Sequence, residues 1–137
     1  MASRYPTLVQ VALDTTDARG LAEFYRELFG LEYRPGDEPP AAGEPDDKDW
    51  LVLRNPGGIQ LAFQLVEELP ASTWPTAEIP QQLHLDSTVP DRETFDEQCE
   101  RALGLGAELL LDRSDDPEEP LRVFADPAGH PFCIFVG

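Results

Sequence analysis

The chain has 137 residues, 41% of them hydrophobic and 9% aromatic, which is enough apolar material for one packed domain and argues against global disorder. Twenty-seven Asp and Glu against ten Lys and Arg give a formal net charge of −17, a field that repels nucleic acid and anionic membrane surfaces. No apolar run approaches the roughly 20 residues of a membrane span; the opening MASRYP lacks a secretory apolar core, and Cys99 and Cys133 form neither a disulfide framework nor a CxxC zinc pattern, so a cytoplasmic location is expected.

Leu8 to Leu13 alternates, with Val9, Val11 and Leu13 on one face and Leu8, Gln10 and Ala12 on the other, as in a half-buried strand. Asp14 to Asp17 is rich in helix N-cap types, and a helix is predicted from about Ala18 to Phe29, with Leu21, Phe24, Tyr25 and Leu28 at helical spacing. Gly30 suits a left-handed C-cap, and Leu31 to Tyr33 starts the next strand. The Pro, Gly and acid cluster at 35–49 reads as a loop. Strands follow at 50–54 and 59–66, and the Pro-rich stretch 69–80 reads as a connecting segment. Beyond it the expected elements are a strand at 82–87, a helix at about 91–103 and a strand at about 107–111. An acidic loop at 112–119 and strands at 121–125 and 131–136 complete the chain.

The two halves echo each other. Residues 9–31 align without gaps on 83–105, pairing Gln10 with His84, Asp17 with Asp91, Leu21 with Phe95 and Gly30 with Gly104. The turn cluster Asn55-Pro56-Gly57-Gly58 is matched by Asp126-Pro127-Ala128-Gly129, and each precedes an apolar run. The expectation is a single α+β domain over 1–137, with module one at about 6–68, a linker at about 69–80 and module two at about 81–137. Each module reads strand, helix, strand, strand, strand, and exposes a sheet face that needs cover.

This order resembles the vicinal-oxygen-chelate superfamily of glyoxalases, bleomycin resistance proteins and dioxygenases. The residues that carry the resemblance are Phe24, Tyr25 and Gly30 at the helix end, the His84-Leu85-Asp86 segment, and Asp126, Pro127 and Gly129 before the last strand. It implies two tandem βαβββ modules forming a half-open barrel around a cavity, and a homodimer. Metal-dependent members place His, Gln or Glu on the first and last strand of each module, which suits a divalent ion with open positions for substrate oxygens.

Carried onto this chain, the first-strand positions are Gln10 and His84, the only metal candidates. The fourth-strand position of module one is Ala62 by the repeat, or Gln64 (with Gln60 on the same parity) by spacing. The last position falls on Cys133, where the metal-dependent members carry Glu. One thiol, one imidazole and amides do not make a usual zinc or iron set, so no cofactor is expected and a divalent metal is disfavoured. Trp50, Arg54 and Arg122 are added as ligand-binding candidates, a stacking surface and two carboxylate receptors. His84 and Asp86 share parity and form a candidate base pair; His130, in the last turn, is assigned to the rim. The leading reading is a metal-independent protein that binds a small organic molecule, cationic or aromatic, as bleomycin resistance proteins do. The alternatives are a lyase, isomerase or dioxygenase-like enzyme using His84 as ligand or base, and a metabolite-sensing module.

Overall fold

The computed structural model describes residues 4–137, and the chain divides into two compact units, one ending at Glu68 and the other running from Leu69 to Gly137. The first contains β1 (Gln10–Thr15), α1 (Ala18–Phe29), β2 (Glu32–Tyr33), β3 (Trp50–Arg54) and β4 (Gln60–Leu65). The second contains β5 (Leu85–Val89), α2 (Arg92–Leu105), β6 (Glu108–Arg113), β7 (Leu121–Ala125) and β8 (Pro131–Val136). Each unit holds one four-stranded sheet, ordered β1-β4-β3-β2 and β5-β8-β7-β6. Its outer strand runs parallel to the unit's last strand, and the remaining pairs are antiparallel. The α+β pair of βαβββ modules is present, and neither sheet closes on itself.

Local chemistry explains the helices. The Asp17 carboxylate accepts from Gly20 N at 2.9 Å and starts α1, and Gly30, at φ 66°, ends it as expected. Leu21, Phe24, Tyr25 and Leu28 are buried, and the Tyr25 ring stacks on Phe63 of β4 with centroids 6.0 Å apart. In the second unit Asp91 caps α2 through Thr94 N, and Phe124 and Phe132 stack at 5.4 Å. The repeat fails at the end of this helix: α2 runs past Gly104 and ends at Gly106, where φ is 116°.

Strand boundaries differ from the alternation because pairing, not pattern, sets them. β1 starts at Gln10, two residues later than expected, where its ladder with Gln60 begins. β5 starts at Leu85, not at residue 82, because its first partner is Phe132. His84 therefore precedes β5 and does not sit within a strand. The registers settle the open position in module one. Ala12 pairs with Ala62 as Asp86 pairs with Cys133, so Ala62, not Gln64, is the counterpart of Cys133.

The 35–49 loop is tied down. Asp37, 4% exposed, accepts from Val52 N at 2.9 Å and pairs with Arg34 at 3.0 Å. From α1, Arg19 donates to Asp37 O and to Asp46 Oδ2, both at 2.6 Å. Residues 69–80 belong to the compact second unit, folded back by Thr73 N to Ile79 O at 2.8 Å and Ile79 N to Thr73 Oγ1 at 2.9 Å.

Candidate functional site

The face of the second sheet turned away from α2 carries a pocket of about 350 Å³. Its floor is built from alternate residues of three strands: Leu111 of β6, Leu121 and Val123 of β7, and Phe135 of β8. Register places Leu111, Val123, Cys133 and Asp86 in one row across the sheet, and Arg113, Leu121 and Phe135 in the next. Trp74 and Gln81, from the segment before β5, and Glu119, from the β6–β7 loop, form the rest of the wall.

One end of this pocket is polar. The Cys133 thiol donates to Asp86 Oδ1 at 2.7 Å, and His84 Nε2 lies 3.3 Å from the same oxygen. His84 and Asp86 side chains are 50% and 58% exposed, whereas Cys133 is buried. Burial pushes the Cys133 thiol up to about 12, and its bond to the Asp86 carboxylate adds to the shift, with Glu119 acting in the same direction. The thiol is therefore a proton donor at neutral pH, not a nucleophile or a thiolate ligand. Gln81 adds an amide oxygen that is buried without a partner.

The sequence candidates divide among several places. His84, Asp86 and Cys133 meet in this pocket. Gln10, Trp50 and Gln64 lie on the face of the first sheet turned away from α1, where Gln64 pairs with both Trp50 and Asp14 and Gln10 pairs with Gln60. Arg54 lines a shallow groove in that unit beside Leu8, Val9 and Gln60. His130 lies in the last turn, whose Asp126 carboxylate accepts from His130 N at 3.0 Å, and it is not part of the pocket wall. Arg122 is a correction. On β7 it alternates with Leu121 and Val123 and so faces α2, 5.3 Å above the buried Phe95 ring, with its Nε 3.2 Å from Asp112. It is therefore on the opposite side of the sheet from the pocket wall. The cation on the pocket wall is Arg113, which the sequence reading passed over because it sits at a strand end beside an acidic loop. Trp74 was missed because a proline-rich segment has no periodicity to reveal a wall.

The residues do not suit the divalent ion that the superfamily resemblance implies. Asp86 already accepts the Cys133 proton, and burial opposes the ionisation that a thiolate ligand needs. Among the described residues no group of three or more His, Cys, Asp or Glu is arranged to hold a metal. In the first unit the counterpart of Cys133 is Ala62, which has no donor atom, and the counterpart of His84 is Gln10, whose neutral amide is a weak ligand.

Residues 10–135 match the glyoxalase-like domain family. The chain belongs to that family. Its two βαβββ modules are those of the vicinal-oxygen-chelate fold. A glyoxalase/bleomycin resistance protein/dioxygenase family enzyme from Burkholderia phytofirmans PsJN is similar over 96% of this chain and 98% of its own, at 19% identity and a TM-score of 0.72. Fosfomycin resistance protein FosX from Mesorhizobium loti matches over 97% and 93%, at 17% identity and a TM-score of 0.67. Lactoylglutathione lyase from Agrobacterium tumefaciens matches over 98% and 96%, at 19% identity and a TM-score of 0.61. Identities this low establish the shared fold alone. No curated protein matches the chain. Among the described residues of this glyoxalase-like chain, no helix is long and apolar enough to cross a membrane.

Proposed function

We propose that this glyoxalase-like protein binds a small organic cation with an apolar or aromatic body, without a metal, in the pocket of its second unit. The observation that carries this reading is the pairing of an apolar floor with a polar end rich in acceptors. Leu111, Leu121, Val123 and Phe135 offer a surface for a hydrocarbon body, and Trp74 a ring face for stacking. Asp86 and Glu119 offer carboxylates, and the net charge of −17 draws cations toward the molecule. Cys133 holds Asp86 in place through its S–H and does no chemistry. The protein is read as a homodimer in solution.

Titration of the 15N-labelled protein with arylalkylamines such as 4-methylbenzylamine tests this. Saturable shifts confined to Leu111, Val123, Cys133 and Phe135 are expected; shifts scattered over the acidic surface would refute pocket binding. Elemental analysis of protein purified without chelator should give well under one equivalent of any transition metal. A stoichiometric metal lost in His84→Ala would move the reading to a metalloenzyme.

A second reading rests on the His84 Nε2 to Asp86 Oδ1 distance of 3.3 Å, which orients the imidazole as a general base in a metal-free lyase or isomerase. Turnover abolished in His84→Gln with binding retained would select it.

A further inference from the structure

The ligand's opposite end is marked by a register fault. In β6 the pairing shifts between Leu109 and Leu111: Leu109 faces Phe124, but Leu111 faces Val123, Asp112 faces Arg122 and Arg113 faces Leu121. One residue is extra, and this bulge decides which side chains reach the pocket. Without it the alternation would turn Asp112 toward the floor and Arg113 toward α2. With it, Asp112 lies on the helix side, 3.2 Å from Arg122 Nε, and Arg113 stands on the pocket wall.

Arg113, like Arg54, has no carboxylate partner among the described residues, and of the two it is Arg113 that lines the pocket of the second sheet. In a chain with 27 acidic residues, Arg19, Arg26, Arg34, Arg92 and Arg122 each sit within ion-pairing distance of a carboxylate. Among the described residues no carboxylate pairs with Arg113, although Glu119 shares the same pocket wall. A guanidinium left unpaired amid such an excess of acid, and aimed by a bulge over the apolar row of Leu121 and Phe135, has its planar fork available for an oxyanion.

We infer that the pocket is bipolar and takes a zwitterion, with a carboxylate held by Arg113 and a protonated amine at the Asp86 end. This rests on the cation-binding reading and extends it. Asp86 and Arg113 stand on the two outer strands, β5 and β6, three strand spacings apart and one row offset, about 14 Å across the strands and about 7 Å along them, or about 16 Å between backbones. The reach of the two side chains leaves room between their charged groups for a body on the order of one aromatic ring, over Val123 and Phe135. The carboxylate sets orientation: a ligand without it has no partner at the β6 edge.

The test uses three matched probes, 4-(aminomethyl)benzoate, 4-methylbenzylamine and 4-methylbenzoate, titrated into the full chain by NMR at low ionic strength. The zwitterion should bind about tenfold or more tighter than the amine, the ratio one charge-assisted contact confers. Arg113→Gln should erase that advantage, bringing the affinities for the zwitterion and for 4-methylbenzylamine to within about twofold of each other. Because Arg113 is exposed at a strand end, this variant is expected to fold, and a matching amide spectrum checks it. Equal binding of amine and zwitterion, or a preference unchanged in Arg113→Gln, overturns the anion anchor while leaving the cation pocket standing. If none of the probes shifts the floor residues, the pocket reading itself fails, and the anchor with it.

Discussion

Asp86 shows how one carboxylate sets the chemistry of its neighbours. It accepts from Cys133 at 2.7 Å and lies 3.3 Å from His84, so removing its charge should change both. Burial and Asp86 together raise the Cys133 thiol to about 12, so its alkylation, followed by mass spectrometry to separate it from Cys99, should be slow at neutral pH and accelerate only in strong alkali. In Asp86→Asn the acceleration should begin at lower pH; an unchanged profile would mean that burial alone holds the proton. The same shift has a stability consequence. An unfolded chain releases the thiol proton near pH 9 while the folded one retains it to about 12, so this group's contribution to stability falls as pH rises through that window.

At the scale of elements, the helix caps and the paired sheets were readable because capping and alternation are local. Asp17, Gly30, Asp91 and the Asp126 turn all act where their residue types suggest. Strand registers were not readable, and they place the site: the bulge in β6 exchanges Asp112 for Arg113, and the ladder of β5 leaves His84 outside the strand. The long acidic loop is a similar case, read from composition as irregular but stapled to α1 by Arg19. Arg19→Gln should therefore speed amide exchange across residues 38–46 by about tenfold or more, with little change at Leu51 or Phe63; uniform acceleration would mean that the whole unit had been destabilised. In the second unit Phe132→Ala removes one member of the buried Phe124–Phe132 stack and should cost about 3–5 kcal/mol in urea unfolding.

For the whole molecule the dominant fact is charge. Five arginines sit in local ion pairs, which leaves most of the 27 carboxylates repelling one another. The melting temperature should rise as sodium chloride increases from about 10 mM to about 150 mM, where the screening length falls to about 8 Å. A flat or falling profile in calorimetry would show that the surviving pairs outweigh the repulsion. The same titration should weaken cationic probes, since screening removes long-range attraction before it touches a contact inside the pocket.

The sequence by itself determined the architecture: two βαβββ modules, because hydrophobic period, cap residues and turn chemistry are written in neighbouring positions and repeated once along the chain. It also put His84 and Asp86 on a shared face by their spacing of two, whereas Cys133 came from the family resemblance and its pairing with Asp86 from the ladder between β5 and β8. Tertiary structure decided which arginine faces the pocket, which glycine ends α2, and that Trp74 of the proline-rich segment forms a wall. The reason is physical. A strand's pattern says which residues share a side, but a bulge can exchange the sides midway, and only hydrogen bonds to a neighbouring strand determine where that occurs.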